Sequence, residues 1–545
     1  MRRSFSEFFR AHGLTALGLM LVLACNLAIR WHLRQLPLER DEGEYAYAGQ
    51  LILQGIPPYQ LVYNMKFPGV YFAYAVLMSV FGQTPEGIHS GIILVSSASA
   101  ILVFLIGCEL LGAFGGQMSA AIFVGLSATP MAFGLAGHAT HFMTLFVCAG
   151  AFVLLKAEKS SSLLWPAASG MAFGFAVLMK QHAAVFALLA AGCLVWQSSW
   201  KQRIPCAQFI PRMGAFFAGF AMPLLLTAAA LAQAGVWNRF CFWTIQYARQ
   251  YVSIFPLQSV PQQFIEGFGP VFGSGVWAWT LGVAGLGMML VRTGRRRAAW
   301  FGAGLFLAGL AAACPGFYFR GHYFLTAMPG LALLNAALIL AVADELKKFR
   351  SIRALQWLPA FLFCGVAGDL VVRNFETWFR LTPHEISRNL YDASPFPEST
   401  EIAGYLAAHT SPRETIAVLG SEPQIYFLAR RHSASGFIYM YPLTEPQPLA
   451  PPMRNEFINE IETARPAYIM CVNLASSWLS VIYPGAPPSH SILDWWHGYS
   501  KNYELVGAVD VFEDKPSDFL WDGRLANRTN SSPPEILIYR RQSQR

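Results

Sequence analysis

The sequence predicts an α-helical polytopic membrane protein of about thirteen transmembrane helices, followed by a C-terminal soluble α/β domain. Three observations predict it. Hydrophobic residues make up 54% of the chain and charged ones only 13%, against about 25% charge in soluble domains, and mean hydropathy is +0.39, so too little charge remains to solvate the surface. The apolar residues fall in runs long enough to cross a hydrocarbon core about 30 Å thick. After about residue 375 those runs stop and a mixed polar composition begins.

The first apolar run, LTALGLMLVLACNLAI after MRRSFSEFFRAHG, has the outline of a secretory signal. It lacks a small-residue cleavage site and a charged loop follows, so it reads as the first transmembrane helix. With this run at 14–29, twelve are counted; the others lie near 68–82, 90–107, 115–137, 138–155, 163–179, 182–199, 211–234, 272–291, 298–314, 322–343 and 355–372. Basic clusters orient them. Arg2, Arg3 and Arg10, Lys156 and Lys159, Lys201 and Arg203, Arg292 with Arg295 to Arg297, and Lys347, Lys348, Arg350 and Arg353 all read as cytoplasmic. If the N-terminus and the last cluster are both inside, the loop after the first helix and the tail after the last are both outside, which requires an odd number of crossings. The expectation is thirteen, with the uncounted one between residues 90 and 155, where Gly112, Gly115, Gly116 and Pro130 permit broken helices. This assigns 1–375 to a transmembrane domain with an outer loop at 31–69, and 376–545 to an extracytoplasmic domain.

The tail alternates helical and strand-like stretches. STEIAGYLAAH, EPQIYFLARR and NEFINEIETA read as helices; TIAVLG, AYIMCV, ELVGAVDVF and EILIYR read as strands, the pattern of a small layered α/β domain. The Pro-rich pieces YPLTEPQPLAPP and YPGAPPSH read as long surface loops.

Composition excludes some functions. The net charge of +8 comes from short basic clusters between apolar runs, which orient helices and do not form a nucleic-acid-binding stripe. Cys25, Cys108, Cys148, Cys193, Cys314 and Cys364 lie in or beside apolar segments without metal-ligand spacing, so no disulfide framework or zinc site follows.

The chemistry concentrates in Glu39 to Gly69, ERDEGEYAYAGQLILQGIPPYQLVYNMKFPG. Asp41, Glu42 and Glu44 follow the first apolar run, and Lys66 precedes Pro68 and Gly69, where the second begins. Acids and a lysine bracketing one loop at a membrane face suit a reaction on a lipid-borne phosphate; charges at helix ends also serve as interfacial anchors. Read with its neighbours, the loop resembles the multi-pass C-type (GT-C) glycosyltransferases that use polyprenyl-phosphate sugars, the group of the protein O-mannosyltransferases and the lipid A aminoarabinose transferase. The resemblance rests on Asp41-Glu42, on Pro58-Tyr59 followed by Lys66-Phe67-Pro68-Gly69, similar to the family's Lys-Pro-Pro turn with Phe in place of the first Pro, on Lys180-Gln181, and on Arg320, His322, Tyr323 and Pro329 in RGHYFLTAMPGLALL. It covers about residues 1–375, and the tail resembles those of bacterial members, which implies a multi-pass protein of the bacterial inner membrane.

The resemblance implies that Asp41 is the catalytic base and that Glu42 supports it or a metal. The chemistry gives those roles a reason. Attack on an anomeric carbon needs proton removal from an acceptor hydroxyl, typically worth ~10²- to 10⁴-fold, and stabilisation of the departing phosphate. Lys66, Lys180, Arg320 and His322 are the candidates for that phosphate and, with Tyr323, for substrate binding. Headgroup anchoring and snorkelling are the alternative roles for these cations. Tyr45, Tyr47, Tyr59 and Tyr63 are candidates for stacking on a sugar, or for an interfacial belt. Metal candidates are Glu42, His138 and His141; the two histidines of GHATHFM lie three apart, which on a helix puts them on one face. The partners implied are a polyprenyl-phosphate-linked sugar donor and membrane lipids; the acceptor, lipid, glycan or protein, is open. A flippase for lipid-linked saccharides would place its ionisable residues at mid-membrane in broken helices, and a membrane scaffold would need no acid at position 41.

Overall fold

A computed structural model of the chain describes residues 5–199, 206–289, 294–348, 353–478, 490–530 and 532–542. The bundle contains α1 Phe5–Trp31, α2 Arg40–Leu53, α3 Gly69–Phe81, α4 Pro85–Leu111, α5 Ala113–Ser127, α6 Ala139–Ala157, α7 Leu164–Met179, α8 Ala184–Ser199 and α9 Cys206–Gln233. After it come two short helices, α10 Trp237–Cys241 and α11 Ala248–Tyr251, joined by a π-helical turn at Phe242–Tyr247. Then follow α12 Val260–Gly273, α13 Val276–Leu286, α14 Arg296–Ala313, α15 Met328–Leu346 and α16 Leu358–Phe379. Six of the described helical segments are long and apolar enough to cross a membrane, and five shorter apolar helices accompany them.

Each of the twelve apolar runs holds one α-helix. The additional helix expected between 90 and 155 is not there: α4, α5 and α6 fill that stretch, with only a 3₁₀ turn at Pro130–Ala132 between the last two. Among the described residues, four helices before the tail lie outside the runs, α2, α10, α11 and α12; in α12 the polar residues Gln262, Gln263 and Glu266 interrupt the apolar side. That side carries Phe264 and Phe268, which pack on Phe324 with ring centroids 6.1 and 5.0 Å apart.

Helix contacts use small residues, as expected where lipid offers no hydrophobic drive. At Gly170 a Cβ would stand 1.9 Å from the Phe216 carbonyl oxygen, so α7 and α9 approach as they do only because that side chain is absent. One end of the bundle is tied by ion pairs: Lys156 to Glu109 at 2.8 Å, Arg297 to Glu158 at 2.7 Å and Arg295 to Asp344 at 2.9 Å. These use several of the basic clusters; Arg2, Arg3, Lys201, Arg203, Arg292 and Arg350 lie outside the described residues. The opposite end carries α2 and the tail.

The tail contains α17 Pro383–Tyr391, α18 Ser399–Ala408, α19 Gln424–Ala429, α20 Tyr441–Thr444, α21 Ala450–Ala464 and α22 His490–Tyr499 around a five-stranded sheet. Its strands are β1 Ile416–Leu419, β2 Tyr468–Val472, β3 Tyr503–Asp510, β4 Asp518–Trp521 and β5 Ile536–Arg541, in the order β1-β2-β5-β3-β4. β1 and β2 pair in parallel and the other pairs are antiparallel. Every residue of β1 and β2 is buried, as strands covered on both faces require. Four strands match the predicted stretches; β4 is the unexpected one.

The Pro-rich run at 441–452 is not a surface loop. It forms α20 and the start of α21, and Pro442, Leu443, Glu445 and Gln447 are buried, because each proline sits where a helix begins or the chain turns. The other Pro-rich run falls almost wholly in residues 479–489, outside the described residues.

Candidate active site

The site begins at the N-terminus of α2. Glu39 caps it, its Oε1 accepting from the Glu42 N–H at 2.8 Å, which places Asp41 in the first turn where the helix end favours negative charge. Lys66 Nζ lies 2.8 Å from Asp41 Oδ1 and 2.8 Å from Glu44 Oε2. Glu44 also accepts from the Tyr71 hydroxyl at 2.5 Å and from Asn64 Nδ2 at 2.9 Å. Burial opposes ionisation of Asp41, but Lys66 and then His138 hold its carboxyl well below the usual carboxylate range. Glu39 goes the other way: burial pushes it up to about 7, with His138 opposing.

Glu42 is fully buried. Its Oε1 accepts from the Gly137 N–H at 2.5 Å and lies 3.0 Å from His89 Nε2, so it anchors the backbone just before α6. That anchor fixes His138, the N-cap of α6, whose extended backbone turns its ring away from the helix. His138 Nδ1 is 3.6 Å from Asp41 Oδ2. Its ring stacks on His322, centroids 4.0 Å apart and planes 3° apart. His141, in the first turn of α6, has Nε2 3.3 Å from the Gly134 carbonyl and is not among the residues whose ligand atoms group with Asp41.

Asp41, His138 and His322 have ligand atoms within 4.8 Å of one another. Among the described residues, both ring nitrogens of buried His138 lack a hydrogen-bond partner. Two imidazoles and a carboxylate with orphaned nitrogens suit a divalent transition-metal ion. Glu42, the sequence's acidic candidate for this role, has one oxygen committed to Gly137 and His89.

Beside this group lies a cavity of about 520 Å³. Asp41, Lys66, Lys180, Arg320, His322 and Tyr323 all line it, so candidate residues from three distant stretches, 39–69, Lys180 and 320–323, converge there. Lys180 Nζ lies 3.5 Å from the centroid of the Tyr323 ring, and the Arg320 guanidinium 5.6 Å from that of Tyr318. Among the described residues neither cation pairs with a carboxylate, whereas Lys66 pairs with two. Of the four candidate tyrosines, Tyr45 lines the cavity. The other three hold structure: the Tyr59 hydroxyl donates to the Lys66 carbonyl, that of Tyr63 to Glu460, and that of Tyr47 accepts from the Ser433 N–H.

The rest of the wall comes from segments that the sequence did not assign to the site. Thr244 and Tyr247 of the π-helical turn and Tyr439, Tyr441, Pro442 and Glu445 of the tail line the cavity. The tail is fastened directly to α2. Arg40 pairs with Glu422 at 2.9 Å, and the Tyr439 hydroxyl donates to the Arg40 carbonyl at 2.9 Å. At Gly43 a Cβ would stand 2.5 Å from the Gln424 nitrogen, so α2 and α19 touch backbone to backbone. The one signal available in sequence was the aromatic density of GFIYMYPL.

This helical bundle, with an acidic helix at one end and an α/β domain closing over it, is the fold of the C-type (GT-C) glycosyltransferases that use polyprenyl phosphates. Residues 66–226 match the family described as dolichyl-phosphate-mannose-protein mannosyltransferase. Among solved structures, ArnT from Cupriavidus metallidurans bound to undecaprenyl phosphate is similar with a TM-score of 0.56 at 14% identity, covering 92% of this chain and 96% of that one. The archaeal oligosaccharyltransferase AglB from Archaeoglobus fulgidus, with an inhibitory peptide and a dolichol-phosphate, has a TM-score of 0.55 at 11% identity, covering 94% and 75%. The Archaeoglobus fulgidus oligosaccharyltransferase with Zn and sulfate has a TM-score of 0.50 at 10% identity, covering 94% and 74%. No curated protein matches the sequence.

Proposed function

We propose that this protein is a membrane glycosyltransferase that moves a sugar from a polyprenyl-phosphate donor to an acceptor hydroxyl, with Asp41 as the base. The acceptor class stays open: lipid, glycan or protein. One observation carries the reading: a carboxylate held in its ionised form shares a cavity with Lys180 and Arg320, cations that pair with no carboxylate among the described residues. In this reading 1–375 is the transferase domain in the bacterial inner membrane, and 376–545 stands on the extracytoplasmic side, where it closes the site.

The acceptor oxygen bonds to the anomeric carbon as its proton passes to Asp41. The bond from that carbon to the phosphate oxygen breaks, and its electron pair leaves with the polyprenyl phosphate. Displacement from the opposite side inverts the anomeric centre. Arg320 suits bidentate contact with the phosphate and Lys180 acts as a point charge. Glu42 orients the His138 turn, and Lys66 keeps Asp41 ionised. Asp41, His138 and His322 would hold a divalent ion, whose charge would favour the ionised form of a bound oxygen.

The test compares the lipid and glycan profiles of cells lacking the protein and cells carrying Asp41→Asn, which keeps size and removes basicity. Both should accumulate one sugar-linked polyprenyl phosphate and lose one sugar from the envelope. Unchanged profiles in both would sink the reading.

A further inference from the structure

Among the described residues, Glu445 is the one acidic side chain that the tail contributes to the cavity. It is 3% exposed. Its Oε2 accepts from the Tyr247 hydroxyl at 2.6 Å, while its Oε1 is buried without a hydrogen-bond partner among the described residues. A buried polar atom left unpaired costs about 1–3 kcal/mol, so a carboxyl beside the cavity with one oxygen unpaired has hydrogen-bonding capacity left for a ligand. No step of the transfer uses this residue.

We propose that Glu445 is a specificity-determining contact, whose free oxygen hydrogen-bonds a ring hydroxyl of the sugar carried by the donor. The proposal rests on the polyprenyl-phosphate reading and adds the residue that reads the sugar. Its neighbours fit a sugar. Tyr441 and Tyr439 stack on each other, centroids 5.3 Å apart, and both line the same wall. Aromatic faces and one or two buried polar groups are what a hydroxyl-bearing ring needs for apolar contact and orientation. The charge state agrees. Burial pushes the Glu445 carboxyl up to about 8, against the opposing pull of Tyr247 and Arg320, so at neutral pH it carries its proton. With Oε2 already accepting from Tyr247, Oε1 can hold that proton and donate it to a hydroxyl oxygen. Lys180 and Arg320 are left for the phosphate.

The experiment measures binding, in nanodiscs, of bare undecaprenyl phosphate and of a panel of undecaprenyl-phosphoryl sugars comprising neutral hexoses, a neutral pentose and an aminopentose. The parent protein should bind the bare lipid phosphate, and at least one neutral sugar should tighten binding. Glu445→Ala should weaken that sugar-linked lipid by ~10-fold and leave bare undecaprenyl phosphate unchanged. Glu445→Gln, whose amide can accept from Tyr247 and donate to the sugar, should keep most of the preference. The proposal is overturned by a parent that gains nothing from any sugar, by Glu445→Ala retaining the preference, or by Glu445→Ala weakening bare undecaprenyl phosphate as much. Equal damage from Gln and Ala, with preference for the aminopentose, would replace the hydroxyl with an ammonium group and overturn it too. A parent that binds neither bare nor sugar-linked lipid instead brings down the polyprenyl-phosphate reading itself, visible before any substitution is made.

Discussion

Lys66 bridges Asp41 and Glu44, its ammonium 2.8 Å from an oxygen of each. The residue that its position beside Pro68 and Gly69 suggested for the donor phosphate thus also holds the Asp41 carboxyl below the usual carboxylate range, which in the proposed mechanism keeps the base charged. Lys66→Met keeps the stem and removes the charge, so the Asp41 pKa should rise. Because the base acts as a carboxylate, the acid limb of the transfer rate should move to higher pH, while rates well above that limb fall less. An acid limb at the parent's position would separate Lys66 from the base. Leaving two carboxylates without their cation should also cost roughly 3 kcal/mol of stability.

Glu42 acts through the backbone of Gly137. Glu42→Gln retains an oxygen for that N–H and should lower transfer modestly; Glu42→Ala removes it, leaves the N–H and His89 unpaired, and should cost about 1.5–3 kcal/mol. Thermal unfolding with parallel rates decides. If both variants lost activity equally at unchanged stability, Glu42 would belong to the chemistry.

Lys180→Ala and Arg320→Ala should each weaken binding of undecaprenyl phosphate, by about 1.5–3 kcal/mol if one charge-assisted hydrogen bond is lost. Titration of the purified variants reads this directly. Parent-like affinity in both would return these residues to headgroup anchoring.

Gly43→Ala inserts a methyl group where α2 meets α19, with backbone atoms of Gln424 2.5 and 2.8 Å away. The two elements must part. The tail should become more sensitive to protease and transfer should fall, although Gly43 does not line the cavity. Unaltered digestion would show that the contact has slack.

The orientation is tested by labelling. Single cysteines in the Glu39 to Gly69 loop and in the tail, with native cysteines removed, should react with an impermeant thiol reagent in spheroplasts, and one near Arg296 should not. A protected tail beside a reactive loop would contradict the contacts between Arg40 and Glu422.

Hydropathy made the helices legible, since each apolar run holds one, and short apolar, β-branched stretches between helical ones marked four of the five strands. It failed at α12, where Gln262, Gln263 and Glu266 dilute the signal, and at β4, whose DFLW opens on an exposed acid and has no buried apolar run. The site divided in the same way. Asp41 and Lys66 could be read locally because both stand at the ends of one loop. The stack of His138 on His322 and the entry of Tyr439, Tyr441 and Glu445 into the wall could not, because they join segments far apart in the chain. The proline run that carries Glu445 also has the local composition of a loop.

Arg40 and its partner Glu422 are separated by 382 positions. A ribosome adding about 5–20 residues per second needs on the order of 20–80 s to make the chain between them. For that interval α2 is already out of the ribosome while the wall that closes its cavity does not exist. The acids of α2 must wait with Lys66 as their nearby counter-charge, and the cavity acquires its far side only when the tail arrives. A chain stopped before residue 422 would hold Asp41, Lys66, Lys180 and Arg320 and still have no enclosed chamber. The wall given by Tyr439, Tyr441 and Glu445 is thus the last part of the cavity to be made.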